Sequence, residues 1–600
     1  MILQSSKQVY RLAVLFLCGV LILIVVAYMI RNLVNVPFED DWGVGAVIAM
    51  HAADGTLTFE TLLAPSAEHR LFFAKAITAL STLLTNWDTR FDAWFNLIFA
   101  LAYFGLLLKL QHFINPNLTL GLATLFALLI FSLKQHHNWL IGLLISYWVA
   151  AFLLCLGLWL LISKPIHWRT LALTAVCAFT ATFSLGNGML FWAVLLPAIW
   201  LRGYRDWRHY ALWIVFGALA VGLYFYQNPA LDFQHLNVRL ESPTIADYGG
   251  FLLSYLGLPF VFVTAWELFV EIAQVLAIIG LIGAVFCGVY LWHKNDRLAL
   301  IVPSALILFS LFSNVMTAVG RVRLGGASYP LYNLRYITIA NLFWIGLLML
   351  GAAVLWHLLK SPYRVVAIIL SSVLLGGYGT LLLQANFDII LRNVRMKITE
   401  DVRACVLNYT TAIRDNRECL SLSAPYPDFL YTVIREVAKR RLTVFADWQT
   451  DFPPAQQPAF AHVQPILGDD YQPFWLAESS EDVRLSQHPP STAEQHLQLP
   501  NTPQVFFEAE IYVDLTNVRE HPDVPQTGAE FRLSIREGRR IQTLYEGSFD
   551  VNVERAPLPI RVDLSPWRGR AIVLVYETLV RQENPSYAWA MWRNPRLVTQ

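Results

Sequence analysis

Three consecutive carboxylates, Glu39, Asp40 and Asp41, stand in Asn35-Val36-Pro37-Phe38-Glu39-Asp40-Asp41-Trp42, a few residues past a long apolar segment. Adjacent like charges repel, so such a run holds one proton more tightly or gathers a cation. Either outcome suits a general base, or oxygen ligands for a divalent cation such as Mg or Mn, with Asp40 and Asp41 as the ligands. A solvated acidic turn has the same composition. The complementary charges lie far along the chain. Arg321, Arg323 and Arg335 fall within residues 320–335, with no acid among them. The guanidinium fork matches phosphate geometry, so they read as a phosphate clamp or as contacts to lipid headgroups. Further polar residues gather in Glu68-His69-Arg70, in Lys134-Gln135-His136-His137-Asn138, and at Asn187 between Gly186 and Gly188. His136 and His137 fit interfacial residues bonded to nearby backbone better than they fit ligands.

The elements that must position these groups are membrane helices. The chain has 600 residues, 56% of them hydrophobic and 14% charged. Residues 1–385 hold 36 charged side chains, about 9%, and residues 386–600 hold 51, about 24%. The first composition is that of a membrane domain and the second that of a soluble one. Spans are expected near 10–30, 91–113, 118–133, 139–162, 169–184, 189–201, 209–226, 266–292, 298–319, 336–359 and 364–385, eleven in all. The shorter apolar stretches 70–85 and 249–262 read as helices in or dipping into the outer interface, with a true span as the alternative for either. Arg31 and Asn32 follow the first segment in place of a small-residue cleavage site, so it reads as an uncleaved anchor.

Charge orients the set. With Lys7 and Arg11 inside, the inner loops hold Lys109, Lys164, Arg169, Arg202, Arg205, Arg208, Lys294, Arg297, Lys360 and Arg364. That follows the positive-inside rule. It predicts a cytoplasmic N-terminus, a first outer loop at 31–90 and an outer C-terminal portion. All the polar clusters then fall on one outer face. No acid lies between Asp92 and Asp206 or between Asp296 and Asp388. Pumps and symporters usually carry ionisable groups at mid-membrane, so this lowers that class. A net charge of +1 gives no footprint for nucleic acid.

The plan of one helix, an outer loop opening with acids, about ten more helices and an outer C-terminal domain resembles the GT-C glycosyltransferases. That superfamily includes protein O-mannosyltransferases and lipid A aminoarabinose transferases. Pro37 to Trp42, Glu68-His69-Arg70, Phe131-Ser132 with Gln135 and Asn138-Trp139 are similar to an uncharacterised bacterial branch. Phe183-Ser184 with Asn187-Gly188, Thr317-Ala318 with Gly320-Arg321, and Arg335-Tyr336 extend the likeness. The resemblance implies a polyprenyl-phosphate sugar donor and a glycan, lipid or protein acceptor on the outer face of the cytoplasmic membrane. It implies Asp41 or Asp40 as the base. Glu39, Glu68, His69, Arg70, Gln135, Asn138, Asn187, Arg321, Arg323, Arg335 and Tyr336 would contact substrate, the arginines at the leaving phosphate. A lipid-linked glycan flippase or export component, and a non-catalytic glycan-binding scaffold, are the alternatives.

The domains are therefore 1–385 in the membrane, a helical segment at 386–451, a linker at 452–502 rich in Pro, Gln and Ser, and a β-sandwich at 503–600. Cys405 and Cys419 lie outside in this topology and would close a short disulfide loop. Alternating runs at 504–514, 530–537, 541–549, 558–564, 570–579 and 588–598 read as strands. The ending with Trp589 and Trp592 resembles the last strand of a jelly roll, with both rings more apt for packing than for stacking on sugar.

Overall fold

A computed structural model describes residues 2–66, 69–226, 242–260, 266–365, parts of 369–384, 402–406 and 430–446, and then 463–466, 474–479, 482–514, 528–537, 540–554, 556–581 and 589–599. The chain divides into two units, Met1–Thr399 with Glu436–Ala446, and Glu400–Arg435 with Asp447–Gln600.

The first unit is helical. Eight of its described helical segments are long and apolar enough to cross a membrane: Gln8–Asn32, Thr89–Ile114, Pro116–Leu140, Gly142–Ser163, Trp207–Phe225, Val270–His293, Arg297–Leu324 and Leu334–Leu359. The expected spans at 169–184 and 189–201 are instead helices of 15 and 12 residues, Trp168–Thr182 and Phe191–Arg202. At about 1.5 Å per residue each falls short of the roughly 30 Å hydrocarbon core. The expected span at 364–385 falls largely outside the described residues. The two shorter apolar stretches form the helices Phe72–Thr85 and Ile245–Gly257.

Local chemistry sets the breaks. Asp88 caps the helix Thr89–Ile114 by accepting from Arg90 N, and Asn115 caps Pro116–Ile130, where Pro116 needs no donor partner. Past Ile130 the helical ladder stops, and its freed carbonyls are met by amides. Gln135 Nε2 donates to Ile130 O at 2.5 Å, and Asn341 Nδ2 to Leu129 O at 2.7 Å. Without water in the bilayer core such carbonyls must be satisfied internally. Helices Arg297–Arg321 and Ile337–Leu359 meet at Gly346, where a Cβ would stand 2.8 Å from both Ile307 Cγ1 and Pro303 O. Small residues permit this approach where no hydrophobic force drives helices together. Asn35 Oδ1 accepts from Thr89 N at 3.0 Å and from the Thr443 hydroxyl at 2.9 Å, which ties down the base of the first loop.

The second unit is a sandwich of two five-stranded antiparallel sheets. Its strands are β1 Val463–Ile466, β2 Phe474–Ser479, β3 Asp482–Gln487, β4 Ser491–Gln498, β5 Val505–Val513, β6 Ala529–Glu537, β7 Arg540–Phe549, β8 Leu558–Asp563, β9 Ala571–Val580 and β10 Ala590–Thr599. The sheet orders are β1-β4-β9-β6-β7 and β2-β3-β10-β5-β8. The six expected strands are β5 to β10. The linker expected at 452–502 needs correction: it carries β1 to β4, whose cross-strand pairing decides what their weak alternation leaves open. Every second residue of β5 is buried, and Phe507, Ile511, Phe531, Leu574, Tyr576 and Trp592 fill the core. Trp592 is thus a packing residue, and Trp589 is half-buried with His488 edge-on at 5.4 Å. Cys405, Cys419 and the segment 386–401 lie outside the described residues.

Candidate functional site

Phe38 is buried and anchors the first loop, and Glu39 turns it through a left-handed backbone conformation at φ 46°. That conformation is strained for a residue with a Cβ, and such strain clusters at functional sites. It separates the fates of the next two acids. Asp40 is exposed, whereas Asp41 is 7% exposed and opens the wide helical turn Asp41–Gly45. The Asp41 carboxylate accepts from Phe38 N at 3.4 Å, and Asp41 N donates to Phe38 O at 2.9 Å, so the turn is closed from both ends. Burial raises the Asp41 pKa well above the usual carboxylate range; the nearby Asp92 adds to the rise, against the Phe38 N–H that lowers it.

Asp40 meets a cation from the far end of the chain. Arg335 Nη1 lies 3.5 Å from Asp40 Oδ2, and the other fork nitrogen is 3.5 Å from Asn333 Oδ1. The guanidinium carbon sits 5.8 Å from the centre of the Tyr336 ring. Arg335 occupies the turn Leu334–Tyr336 that enters the helix Ile337–Leu359, and Asn138 Nδ2 fixes that turn by donating to Arg335 O at 3.0 Å. Asn138 also donates to the Thr338 hydroxyl at 2.7 Å, which donates to Gln135 Oε1 at 2.8 Å. Gln135 and Asn138 are therefore a buried network that holds the Arg335 turn and the broken helix together.

His69 joins from a third loop. Its Nδ1 accepts from Gly186 N at 3.3 Å, and a Cβ at Gly186 would stand 2.8 Å from that nitrogen. Burial lowers its pKa to about 4; Arg335 lowers it further and Asp40 opposes. The ring is thus neutral at pH 7, with Nδ1 as acceptor and the proton on Nε2. His137 faces Phe38, ring centres 6.3 Å apart, and feels the Arg335 charge.

Other expected residues do different work. Arg70 is buried and spends its fork on backbone: Nε to Tyr224 O at 2.8 Å, Nη1 to Leu63 O at 2.6 Å, Nη2 to Tyr226 O at 2.5 Å. Asn187 Nδ2 lies 3.4 Å from Ser313 O. Arg321 is half-buried and acts electrostatically on Tyr329, while Arg323 is exposed. Glu68 lies outside the described residues. Sequence reasoning missed Tyr255, stacked on Tyr336 at 5.4 Å, as well as Tyr329, Tyr147, Asn333 and Thr338. Tyrosines at the polar ends of apolar segments were the available signal. Among the described residues no three His, Cys, Asp or Glu side chains converge as metal ligands. Asp40 faces a guanidinium and Asp41 is buried on its own turn, so the two do not fit a shared divalent cation.

No protein-family model and no curated protein matches the chain. Among solved structures, arabinosyltransferase EmbB from Mycobacterium smegmatis aligns over 97% of this chain and 64% of its own, at 12% identity and a TM-score of 0.29. The chain thus spans under two thirds of EmbB. TmCBM61, solved in complex with beta-1,4-galactotriose, aligns over 23% of this chain and 82% of its own, at 13% identity and a TM-score of 0.13. At those identities and scores the likenesses fix neither ancestry nor chemistry.

Proposed function

We propose that the chain is an integral-membrane glycosyltransferase that moves a sugar from a polyprenyl-phosphate carrier to an acceptor hydroxyl of a cell-envelope glycan, lipid or protein on the outer face. The observation that carries this reading is the Asp40–Arg335 pair, an exposed carboxylate against a half-buried guanidinium beside a neutral histidine. In the reaction the acceptor oxygen forms a bond to the anomeric carbon while the bond from that carbon to the phosphate oxygen breaks. The acceptor proton passes to the Asp40 carboxylate. The electron pair leaves with the phosphate, whose growing charge meets Arg335. The 3.5 Å contact in the free protein is loose for a charge-assisted bond, so an arriving phosphate can draw the guanidinium away and release the carboxylate. Asp41, whose burial favours its neutral form, shapes the turn that presents Asp40.

The test compares Asp40→Asn and Asp41→Asn with wild type at matched expression, reading surface glycans and lipid-linked sugar pools by mass spectrometry. Loss of a sugar from the glycan with accumulation of its lipid-phosphate donor in Asp40→Asn supports the reading. Unchanged pools in both variants, where deleting the gene changes them, overturn it in favour of transport or a scaffold.

A further inference from the structure

The opposite ends of the same helices carry a second pattern that the site does not use. Helix Ile337–Leu359 starts beside Arg335 and runs 23 residues, or roughly 35 Å at about 1.5 Å per residue, to Lys360. Lys360 Nζ stands 4.6 Å from the Trp356 ring centre. Three other turns repeat the arrangement: Arg169 on Trp168 at 5.7 Å, Arg205 on Trp200 at 5.1 Å, and Lys294 on Tyr290 at 5.6 Å. Two of the turns are joined through their rings, because Trp200 and Trp292 stack at 5.9 Å with 13° between planes. Trp168, Trp200, Trp207 and Trp292 are between 44% and 71% exposed, far more than packing tryptophans such as Trp42 or Trp213.

Among the described residues the charge here is unbalanced. Arg208 and Arg297 are exposed beside the paired cations. The two acids of these turns are already engaged: Asp206 caps the helix Trp207–Phe225, and Asp296 caps Arg297–Arg321 while its other oxygen pairs with His357 Nε2 at 3.0 Å. Amphipathic rings settle at the hydrocarbon boundary, and the cations above them reach the phosphate level. An excess of cations at that level attracts anionic lipid by charge complementarity.

We propose that these four turns form a binding face for anionic phospholipid headgroups, centred on the Trp200–Trp292 stack and Arg205. The face lies at the far end of the bundle from Asp40 and Arg335 and is independent of the chemistry proposed for them.

The full chain is reconstituted in nanodiscs of phosphatidylcholine alone or mixed equally with phosphatidylglycerol. Thermal unfolding is followed, and the lipid retained after detergent extraction is identified by mass spectrometry. The wild type should unfold at a higher temperature with phosphatidylglycerol and retain it over phosphatidylcholine, by about fivefold for each cation engaged. Both effects should shrink in high salt. The variant R169A/R205A/K294A/K360A should lose the preference, a charge-keeping set R169K/R205K/K294R/K360R should retain most of it, and Arg532→Ala on strand β6 should not change it. Equal retention of the two lipids by wild type, or full preference in the alanine variant, overturns the proposal. Should the fourfold variant fail to assemble, the wild-type comparison and Arg205→Ala alone decide between the two outcomes.

Discussion

The Asp40 carboxylate and the Arg335 guanidinium lie 3.5 Å apart although 295 residues separate them in the chain. Their pairing makes one acid of three the candidate base. Asp40→Asn should lower transfer by about 10²–10⁴, the range for loss of a general base. Single-turnover transfer from a lipid-phosphate sugar in purified membranes measures this. A loss under about threefold, far below that range, would remove Asp40 from the chemistry.

Arg335→Lys keeps the charge but loses the planar fork. It should cost less than Arg335→Ala, for which about 10²–10³ in kcat is expected from loss of a charge-stabilising donor. Rate constants for the two variants at saturating donor decide the order.

Asp41 binds its proton more tightly folded than unfolded. The folded chain then carries the extra proton above the ordinary carboxylate range, so this group's stabilisation is present at acid pH and lost as pH rises through its raised pKa. Asp41→Asn should therefore gain thermal stability over wild type as pH rises above the ordinary carboxylate range. Unfolding midpoints in one detergent across that rise test the sign.

His69 shifts the other way. Its folded pKa near 4 lies below the ordinary value of about 6.5, so the stability it contributes is present above 6.5 and lost as pH falls towards 4. His69→Gln keeps a donor near Nε2 and should flatten the fall in unfolding midpoint across that window. Gly186→Ala would press a Cβ onto His69 Nδ1 and should cost about 1–3 kcal/mol by overpacking.

Arg70→Met should behave as a folding defect. It takes the donor from three carbonyls, that of Tyr224 in a buried contact and those of Leu63 and Tyr226 in half-buried ones, at about 1–3 kcal/mol for the buried one left without a partner. Lower yield and a lower unfolding midpoint are expected, with near-normal donor KM in the folded fraction. A raised KM at unchanged stability would instead make Arg70 a substrate contact.

Membrane character, most of the long helices and strands β5 to β10 were legible in the amino-acid order. They rest on hydropathy and on periodicity, which act over neighbouring residues and are written in any window of the chain. The polar clusters at 39–41, 69–70, 135–138, 187 and 335–336 were legible in the same way. Their roles were not, because what a side chain does depends on which backbone and which charges stand opposite. Packing turned Arg70 onto carbonyls, drew Gln135 and Asn138 into the helix break, and buried Asp41 while leaving Asp40 facing Arg335. Packing likewise built β1 to β4 from a segment rich in Pro, Gln and Ser, where hydrogen bonds to distant strands supplied what local pattern did not. Desolvation and long-range pairing are properties of the packed chain, and no spacing along the sequence encodes them.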